Sequence, residues 1–169
     1  MVKLSVEEIL KSCGGRLLES DRVCNDVEDE DIKGISINKV STDSRDISEG
    51  ALFIPIVGER FDGHDFIKQA VRSGARGFLT DRHISDSCLE KSFGILVDDT
   101  TEALQDLAAY YLKRSGVISV GVTGSTGKTT TKDMLHAIFS TKYKTHKTLG
   151  NFNNHIGLPI TIFNMPDDS

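Results

Sequence analysis

The chain has 169 residues, of which 38% are hydrophobic and 27% are charged, and its net charge at pH 7 is −5. Its apolar runs stay well short of the roughly 18 residues of a membrane span, and the amino-terminal residues lack a secretory signal. The acidic balance, without a basic stripe, argues against general nucleic-acid binding. The three cysteines (Cys13, Cys24 and Cys88) are odd in number and lack metal-ligand spacing. They favour a reduced, cytoplasmic setting and small buried side chains.

The first predicted element is a helix that begins after Ser5. Ser5 and Glu8 have the spacing of a capping box, in which each residue satisfies a backbone N–H group of the other. Leu4 and Ile9 have the spacing of the hydrophobic staple that accompanies such a cap. Gly14 then supplies a stop signal. We therefore expect a short amphipathic helix that ends near residue 13.

Alternating strands and helices follow up to residue 116. An acidic loop over residues 28–31 is interpreted as solvated surface. Pro55 indicates that the strand containing it is an edge strand or carries a bulge. The predicted elements are strands over 35–40 and 51–57, a helix over 64–73, strands over 77–80 and 95–97, and an amphipathic helix over 101–114. Ser115 and Gly116 close the last helix, and we place a boundary between two domains there, 1–116 and 117–169.

The second segment, 117–169, holds five lysines against three acidic residues, which suits a polyphosphate ligand. Its apolar run over 117–122 is typical of a strand buried on both faces, and a helix over 128–140 and a strand over 143–147 are predicted after it. A unit of this size buries only about 60% of its unfolded surface. We therefore expect the strand to lack neighbours, so that the segment is mobile, packs on the first domain, or associates with a partner chain.

A glycine loop lies between that run and the helix, and it predicts phosphate binding. Two glycines let backbone N–H groups turn toward phosphate oxygens, and the helix directs its positive end to the same place. Lys128 reaches the outer phosphates, and the Thr129 hydroxyl completes a Mg²⁺ shell, so both are expected to act in catalysis. The predicted ATP-binding residues are Gly124, Ser125, Thr126, Gly127, Lys128, Thr129 and Thr130. The general pattern has an earlier glycine where this chain has Val122, so an ordinary strand–helix turn is the alternative.

Three segments together resemble the Mur ligase family, which builds the peptide of bacterial peptidoglycan. They are the loop over 123–130, the pair of segments 41–45 and 58–67, and the asparagine-rich segment 150–159. The resemblance implies an α/β fold: a small mixed α/β UDP-binding domain followed by the truncated start of a P-loop parallel-sheet ATPase domain. It also implies that ATP converts a carboxylate into an acyl phosphate, which an amine then attacks.

Within the family, the segment 150–159 is similar to members that join D-alanyl-D-alanine to UDP-N-acetylmuramoyl-tripeptide. The alternatives are a ligase that adds a diamino acid, and a nucleotide-binding module without catalysis. In complete family members, a Mg²⁺-binding glutamate, a histidine and a carbamylated lysine lie beyond the equivalent of Ser169. The resemblance therefore implies a fragment that is inactive in ligation alone. We expect the complete enzyme to be a monomer and the fragment to self-associate.

The resemblance also implies which residues bind the uridine diphosphate part of the substrate. These are Thr42, Ser44, Arg45, Gly58, Phe61, Asp62, Gly63 and His64. Hydroxyl groups and an arginine fork suit a pyrophosphate. The alternatives are that residues 43–45 form a turn held by a local Asp43–Arg45 pair, and that His64 caps its own helix.

Asn151, Asn153 and Asn154 are expected to line the active cleft, where side-chain amides both donate to and accept from a ligand. The alternative is a loop in which the asparagines satisfy their own backbone. His155 is interpreted as packed or exposed rather than catalytic. His136, on the helix after the glycine loop, is interpreted as structural.

Overall fold

A six-stranded mixed sheet forms the centre of the protein, in a computed structural model that describes residues 3–18, 23–24, 32, 34–84, 92–150 and 152–166. The strands are β1 (Leu4–Ser5), β2 (Arg16–Leu18), β3 (Val23–Cys24), β4 (Ser36–Ile37), β5 (Lys39–Ser41), β6 (Ala51–Phe53), β7 (Ala75–Thr80) and β8 (Phe93–Leu96). The sheet has the order β3-β2-β8-β7-β6-β5. Strands β5 to β8 run parallel, whereas β2 is antiparallel to both of its neighbours. Strands β1 and β4 form a separate antiparallel pair.

The helices with described bounds pack on this sheet or on its helical layers, except the one over residues 128–139, which has no buried residue. They are α1 (Val6–Cys13), α2 (Ile67–Arg72), which follows a 3-10 turn (Gly63–Phe66), α3 (Thr100–Ser115), α4 (Lys128–Phe139) and α5 (Gly157–Phe163). The predicted capping box at Ser5 is confirmed, and α1 ends at Gly14, whose φ of 61° is one that glycine adopts without strain. Within the described ranges, no helix is both long and apolar enough to cross a membrane.

The core is divided between the two faces of the sheet. On one face, α1 and α3 pack on side chains such as Leu52, Leu79 and Ile95. On the other face, α2 covers a smaller cluster that includes Phe53 and Phe78. Successive residues along β6, and likewise along β7, thus point into opposite clusters, because side chains alternate between the two faces of a strand. This arrangement gives three layers: helix, sheet, helix.

Most elements predicted up to residue 116 are confirmed within a few residues, and the helix predicted over 64–73 begins as a 3-10 turn. The single strand predicted over 35–40 is wrong: β4 pairs with β1, whereas β5 belongs to the main sheet, so the chain changes sheets at residue 38. Strands β1, β2 and β3 were not predicted, and the edge position expected for the strand with Pro55 is also wrong. Strand β6 lies between β5 and β7, so it is not an edge strand, and Pro55 follows two residues after its end. Because the proline is outside the hydrogen-bonded ladder, its missing N–H group costs the sheet nothing. Its own backbone position lies in the connection to the 3-10 turn. The acidic loop over 28–31 and Cys88 lie outside the described residues, as does the side chain of Cys24.

The strands predicted over 117–122 and 143–147 are wrong: both segments have irregular backbone. The side chain of Ile118 is 95% exposed and that of Val120 is 61% exposed. A strand needs a neighbour to satisfy its backbone N–H and C=O groups, and these segments pair with no strand among the described residues. The apolar run therefore has the composition of a buried strand without the sheet that would bury it.

Helix α5 packs on the first part of the chain, in agreement with one of the three expected behaviours. Phe163 is buried against α3, where its ring centroid lies 5.8 Å from that of Tyr111. The flanking Ile156 and Ile160 contact the same core cluster. The end of the described chain is thus held against the sheet layer by apolar contacts.

Candidate functional site

The glycine loop connects irregular residues 117–123 to the first turn of α4. Gly124 has φ of 150° and Gly127 has φ of 76°, values that a residue with a Cβ atom rarely adopts. Gly127 caps α4 without a side-chain hydrogen bond, and Thr129 and Thr130 are exposed. The backbone N–H groups at the start of α4 are therefore not capped by the side chain that usually satisfies one of them. This is the arrangement that an anion-binding helix start requires.

Lys128 lies at the mouth of this loop. Its Nζ donates a hydrogen bond to the carbonyl oxygen of Gly124, so the side chain folds back across the loop. The ammonium group is thereby held near the turn that Gly124 and Gly127 shape. A carbonyl oxygen is a weaker partner for an ammonium than a phosphate oxygen, so a bound phosphate would compete for this donor.

Helix α4 is tied to the segment that leads toward the asparagines. Lys132 Nζ donates to the carbonyl oxygen of Thr148 at 2.7 Å, and Lys147 Nζ pairs with Asp133 Oδ1 at 2.8 Å. His146 Nε2 lies 3.1 Å from the carbonyl oxygen of Thr161 in α5. These contacts link α4, residues 146–148 and α5.

The asparagine-rich segment begins α5. The side-chain oxygen of Asn154 accepts hydrogen bonds from the N–H groups of Gly157 at 2.7 Å and Ile156 at 3.3 Å. The side-chain oxygen of Asn154 thus satisfies nearby backbone N–H groups, as in the alternative interpretation of this segment. Asn153 is exposed, as is His155, and Asn151 lies outside the described residues. The cleft role of the asparagines stays a prediction.

A second group of candidate residues lies at one edge of the sheet. In the parallel ladder Ser41 pairs with Phe53, and Phe53 pairs with Phe78, so the chain leaves β5, β6 and β7 at the same edge. The connection after β5 carries half-buried Thr42 and Ser44, and the one after β6 carries residues 58–64. Ligands of open α/β sheets bind beyond the carboxyl ends of the strands. The fold thus brings the two predicted substrate segments together.

Arg45 is already paired within its own turn. Its Nε lies 2.9 Å from Asp43 Oδ1, and its Nη2 lies 2.7 Å from Asp43 Oδ2. Hydrogen bonding from Arg45 lowers the pKa of Asp43 to about 2. This geometry agrees with the turn interpretation, because the arginine fork is occupied and its side chain is 83% exposed. A ligand would have to take the guanidinium from Asp43.

His64 is buried between two carboxylates. Asp62 Oδ1 accepts the backbone N–H of His64 at 2.9 Å and lies 2.7 Å from the ring nitrogen Nδ1. The other ring nitrogen, Nε2, lies 3.3 Å from Asp81 Oδ1. Asp62 therefore caps the 3-10 turn, and the prediction that His64 caps its own helix is wrong. A carboxylate oxygen accepts backbone N–H groups at the start of a helical turn, which is why aspartate is a common residue there.

Arg82 closes this group from the connection after β7. Its Nη1 lies 2.8 Å from Asp62 Oδ2, and its Nε lies 2.7 Å from Asp81 Oδ1. Two carboxylates, an imidazole and a guanidinium thus form a continuous ring of contacts at the carboxyl edge. We call Asp62, His64, Asp81 and Arg82 the edge ring.

Comparison with known proteins shows that two parts of this chain match models of one protein family. Residues 36–112 match the catalytic domain of the Mur ligase family, and residues 122–169 match the Mur ligase middle domain. The chain belongs to the Mur ligase family. The two matches leave a gap over residues 113–121. The boundary at residue 116, within that gap, stays a prediction.

Several relatives of this Mur ligase chain are similar in sequence or in fold. It is 53% identical over 133 residues to the UDP-N-acetylmuramoyl-tripeptide–D-alanyl-D-alanine ligase of Bacillus subtilis, covering 79% of this chain and 29% of that protein. The fold is similar to that of MurF from Acinetobacter baumannii, with a TM-score of 0.82 and 30% identity over 99% of this chain and 34% of that one. MurF ligase from Thermotoga maritima, solved in complex with ADP, has a TM-score of 0.67 and 39% identity over 75% of this chain and 29% of that one. The chain thus spans about a third of the length of these relatives.

Two residues of the edge ring, Asp81 and Arg82, were not predicted from the sequence. A signal was present, because both follow directly on the predicted strand 77–80, where ligand-facing residues of parallel sheets are common. Their partner Asp62 is 20 positions away from Arg82. Only the parallel pairing of β6 and β7 brings the two connections side by side.

The edge ring predicts a pH-dependent contribution to stability. The hydrogen bond from the His64 backbone, opposed by burial and strengthened by the His64 ring and Arg82, lowers the pKa of Asp62 to about 2. Since this lies below the usual value of about 3.9, the carboxylate stabilises the fold fully above that value, and the contribution is lost as the pH falls through about 2. We expect Asp62→Asn, which keeps a capping oxygen but removes the negative charge that pairs with Arg82, to lower the free energy of unfolding by about 0.5–1 kcal/mol at pH 7. Urea unfolding of both proteins between pH 7 and pH 2 should show this difference shrinking on acidification. A difference that grows would contradict it.

Proposed function

We propose that this chain forms the substrate-binding domain and the phosphate-loop segment of an ATP-dependent ligase that joins D-alanyl-D-alanine to UDP-N-acetylmuramoyl-tripeptide. The observation that carries the proposal is the 53% identity over 133 residues to a ligase of that name. The exposed glycine loop is the proposed site for ATP. The residues that follow β5, β6 and β7 at one edge of the sheet, here called the carboxyl edge, are the proposed site for the uridine diphosphate part of the substrate. The reaction belongs to peptidoglycan synthesis in the cytoplasm.

The loop over 124–130 binds the phosphates of ATP in this proposal. The N–H groups at the start of α4 face the phosphate oxygens, and Lys128 exchanges the Gly124 carbonyl for an outer phosphate. Donors that are fixed in place by the loop cost little reorganisation when charge moves during phosphoryl transfer. ATP supplies the phosphoryl group that activates the terminal carboxylate of the tripeptide.

Thr129 fits a role as one ligand of Mg²⁺. Its hydroxyl is exposed at the first turn of α4, beside Lys128, and hydroxyl oxygen is a suitable donor for this hard cation. No cluster of three or more His, Cys, Asp or Glu side chains that could hold a metal occurs in the described part of the chain. The remaining ligands in this proposal are phosphate oxygens, water, and residues outside the described chain.

The carboxyl edge binds the uridine diphosphate part of the other substrate. Ser44 and Thr42 offer hydroxyl groups, and Arg45 offers its guanidinium once a diphosphate draws it from Asp43. Phe61 is 61% exposed at the tip of the connection after β6, and its flat ring gives an apolar surface for a base. The boundary at residue 116 separates this domain from the phosphate-loop segment.

Isothermal titration calorimetry of this chain tests the proposal. UDP-N-acetylmuramoyl-tripeptide should bind with a stoichiometry of one, and Ser44→Ala should weaken the binding by roughly tenfold because one hydrogen bond to a charged group is lost. Ser140→Ala, an exposed serine after α4, is the matched control and should leave the affinity unchanged. Absence of binding by the unaltered chain would refute the substrate assignment. Turnover of ATP in the presence of D-alanyl-D-alanine would refute the expectation that the chain is inactive alone.

A further inference from the structure

We infer that Arg82 is a positioning residue that holds the segment 57–62 in place, and so sets the affinity of the carboxyl edge for a uridine diphosphate ligand. The inference rests on the proposed function for the identity of the ligand alone. The positioning itself is a property of the edge ring, and it can be measured without any ligand.

The segment 57–62 forms a tight hairpin that projects from the sheet edge. Val57 and Asp62 form an antiparallel bridge, and the N–H of Gly58 donates to the carbonyl oxygen of Phe61 at 2.9 Å. Just beyond it, the N–H of Gly63 donates to the carbonyl oxygen of Ile56 at 3.0 Å. The tip residues 59–61 are exposed. Backbone bonds thus define the shape of the hairpin, and its orientation depends on what holds its base.

Asp62, at that base, connects the hairpin to the rest of the protein. One carboxylate oxygen serves the 3-10 turn and the His64 ring, and the other pairs with Arg82 Nη1 at 2.8 Å. Arg82 is itself fixed, because its backbone N–H donates to Thr80 Oγ1 at 3.2 Å and Thr80 Oγ1 donates to its carbonyl oxygen at 2.8 Å. The hairpin is therefore anchored to the end of β7, a strand in the middle of the sheet.

The guanidinium of Arg82 offsets the two negative charges of the edge ring. Asp62 and Asp81 both approach the buried His64 ring, from its two nitrogens, and Arg82 is the cation that lies between their carboxylates. Without it, two negative groups would face one another across a buried imidazole, which favours movement of the more mobile partner. Asp62 is on the hairpin and Asp81 is at the end of a core strand, so the hairpin is the part that moves.

The geometry favours positioning over direct contact with the ligand. Arg82 Nε and Nη1 are both occupied by carboxylates that belong to the protein. Each of these pairs is partly exposed, so neither dominates the stability of the fold. Their combined effect is to fix one fork in one orientation, which a planar guanidinium does and a single ammonium does not.

Amide hydrogen exchange and calorimetry on this chain test the inference together. In Arg82→Gln we expect the amides of Gly58 and Gly63 to exchange roughly tenfold faster, while that of Leu79 in β7 is unchanged. The affinity for UDP-N-acetylmuramoyl-tripeptide should fall roughly tenfold, and Arg82→Lys should restore part of it. Arg72→Gln, which removes an exposed cation at the end of α2, is the matched control and should change neither quantity.

A double-mutant cycle separates positioning from contact. Asp81→Asn should weaken binding by less than Arg82→Gln does, and the double variant should be no weaker than Arg82→Gln, because both changes break the same ring. Additive losses would overturn the inference in favour of a direct contact. Unchanged exchange at Gly58 and Gly63 in Arg82→Gln would overturn it outright. If the unaltered chain binds no uridine ligand but the exchange result holds, the proposed function fails and the positioning role stands.

Discussion

Replacing Lys128 with Met should lower the affinity of this chain for Mg-ATP by roughly 10–100-fold, the equivalent of about 1.5–3 kcal/mol for one charge-assisted contact. The ammonium group already lies at the mouth of the glycine loop, held by the carbonyl oxygen of Gly124. Methionine fills a similar volume without a charge. Titration calorimetry of both proteins with Mg-ATP measures the difference.

The control for this prediction is Lys142→Met, which removes the same charge after the far end of α4. Lys142 lies 5.6 Å from the ring centroid of Tyr143, away from the first turn of the helix. It should bind Mg-ATP as the unaltered chain does. Equal affinities for Lys128→Met and the unaltered chain would remove the phosphate-loop assignment. In a chain that carries the whole ligase, Lys128→Met should also lower the turnover number by about 10³-fold.

Leu104→Ala should lower the free energy of unfolding by about 2–5 kcal/mol, whereas Ile118→Ala should change it by less than about 0.5 kcal/mol. Leu104 is completely buried between α3 and the sheet, so its truncation leaves a cavity. Ile118 is 95% exposed, and its truncation removes almost no contact. Urea unfolding of the three proteins measures both values.

The pair is informative because Ile118 lies in the more continuously apolar stretch of sequence and yet is the exposed one of the two. Both substitutions remove most of a branched aliphatic side chain, so the difference reports burial. If Ile118→Ala proved as destabilising as Leu104→Ala, the run over 117–122 would be packed against another surface in solution. That result would contradict the described structure and support association with a partner chain.

Local signals account for what the sequence predicted correctly. The capping box at Ser5 and the glycine at position 14 mark the start and the end of α1. Both could be predicted because their hydrogen bonds join residues fewer than five positions apart. The start of α4 follows from the glycine loop in the same way. Strands β6 and β7 follow from short apolar runs whose residues are buried on both faces of the sheet.

Contacts across long separations decided the remainder. The run over 117–122 has the composition of a buried strand, yet composition cannot supply the neighbouring strands that would satisfy its backbone. Cys13 illustrates a smaller case: its thiol is partly buried against the core, and this burial raises its pKa to about 11. That agrees in part with the prediction of a small buried side chain, and the degree of burial comes from the packing of α1.

The sequence by itself determined the glycine loop, the family, helix α1 and the alternation of strands and helices from β6 to α3, because each depends on residues that are close together in the chain. Only the tertiary structure decided that α5 packs on α3, and that Arg82 pairs with Asp62 across the edges of β6 and β7. These partners are separated by 20 or more residues. The pairing of β6 with β7 brings Arg82 to Asp62, and apolar packing of Phe163 on Tyr111 brings α5 to α3. Once these residues are close together, their charge and shape favour the observed contacts, but the sequence alone does not show which residues will be close.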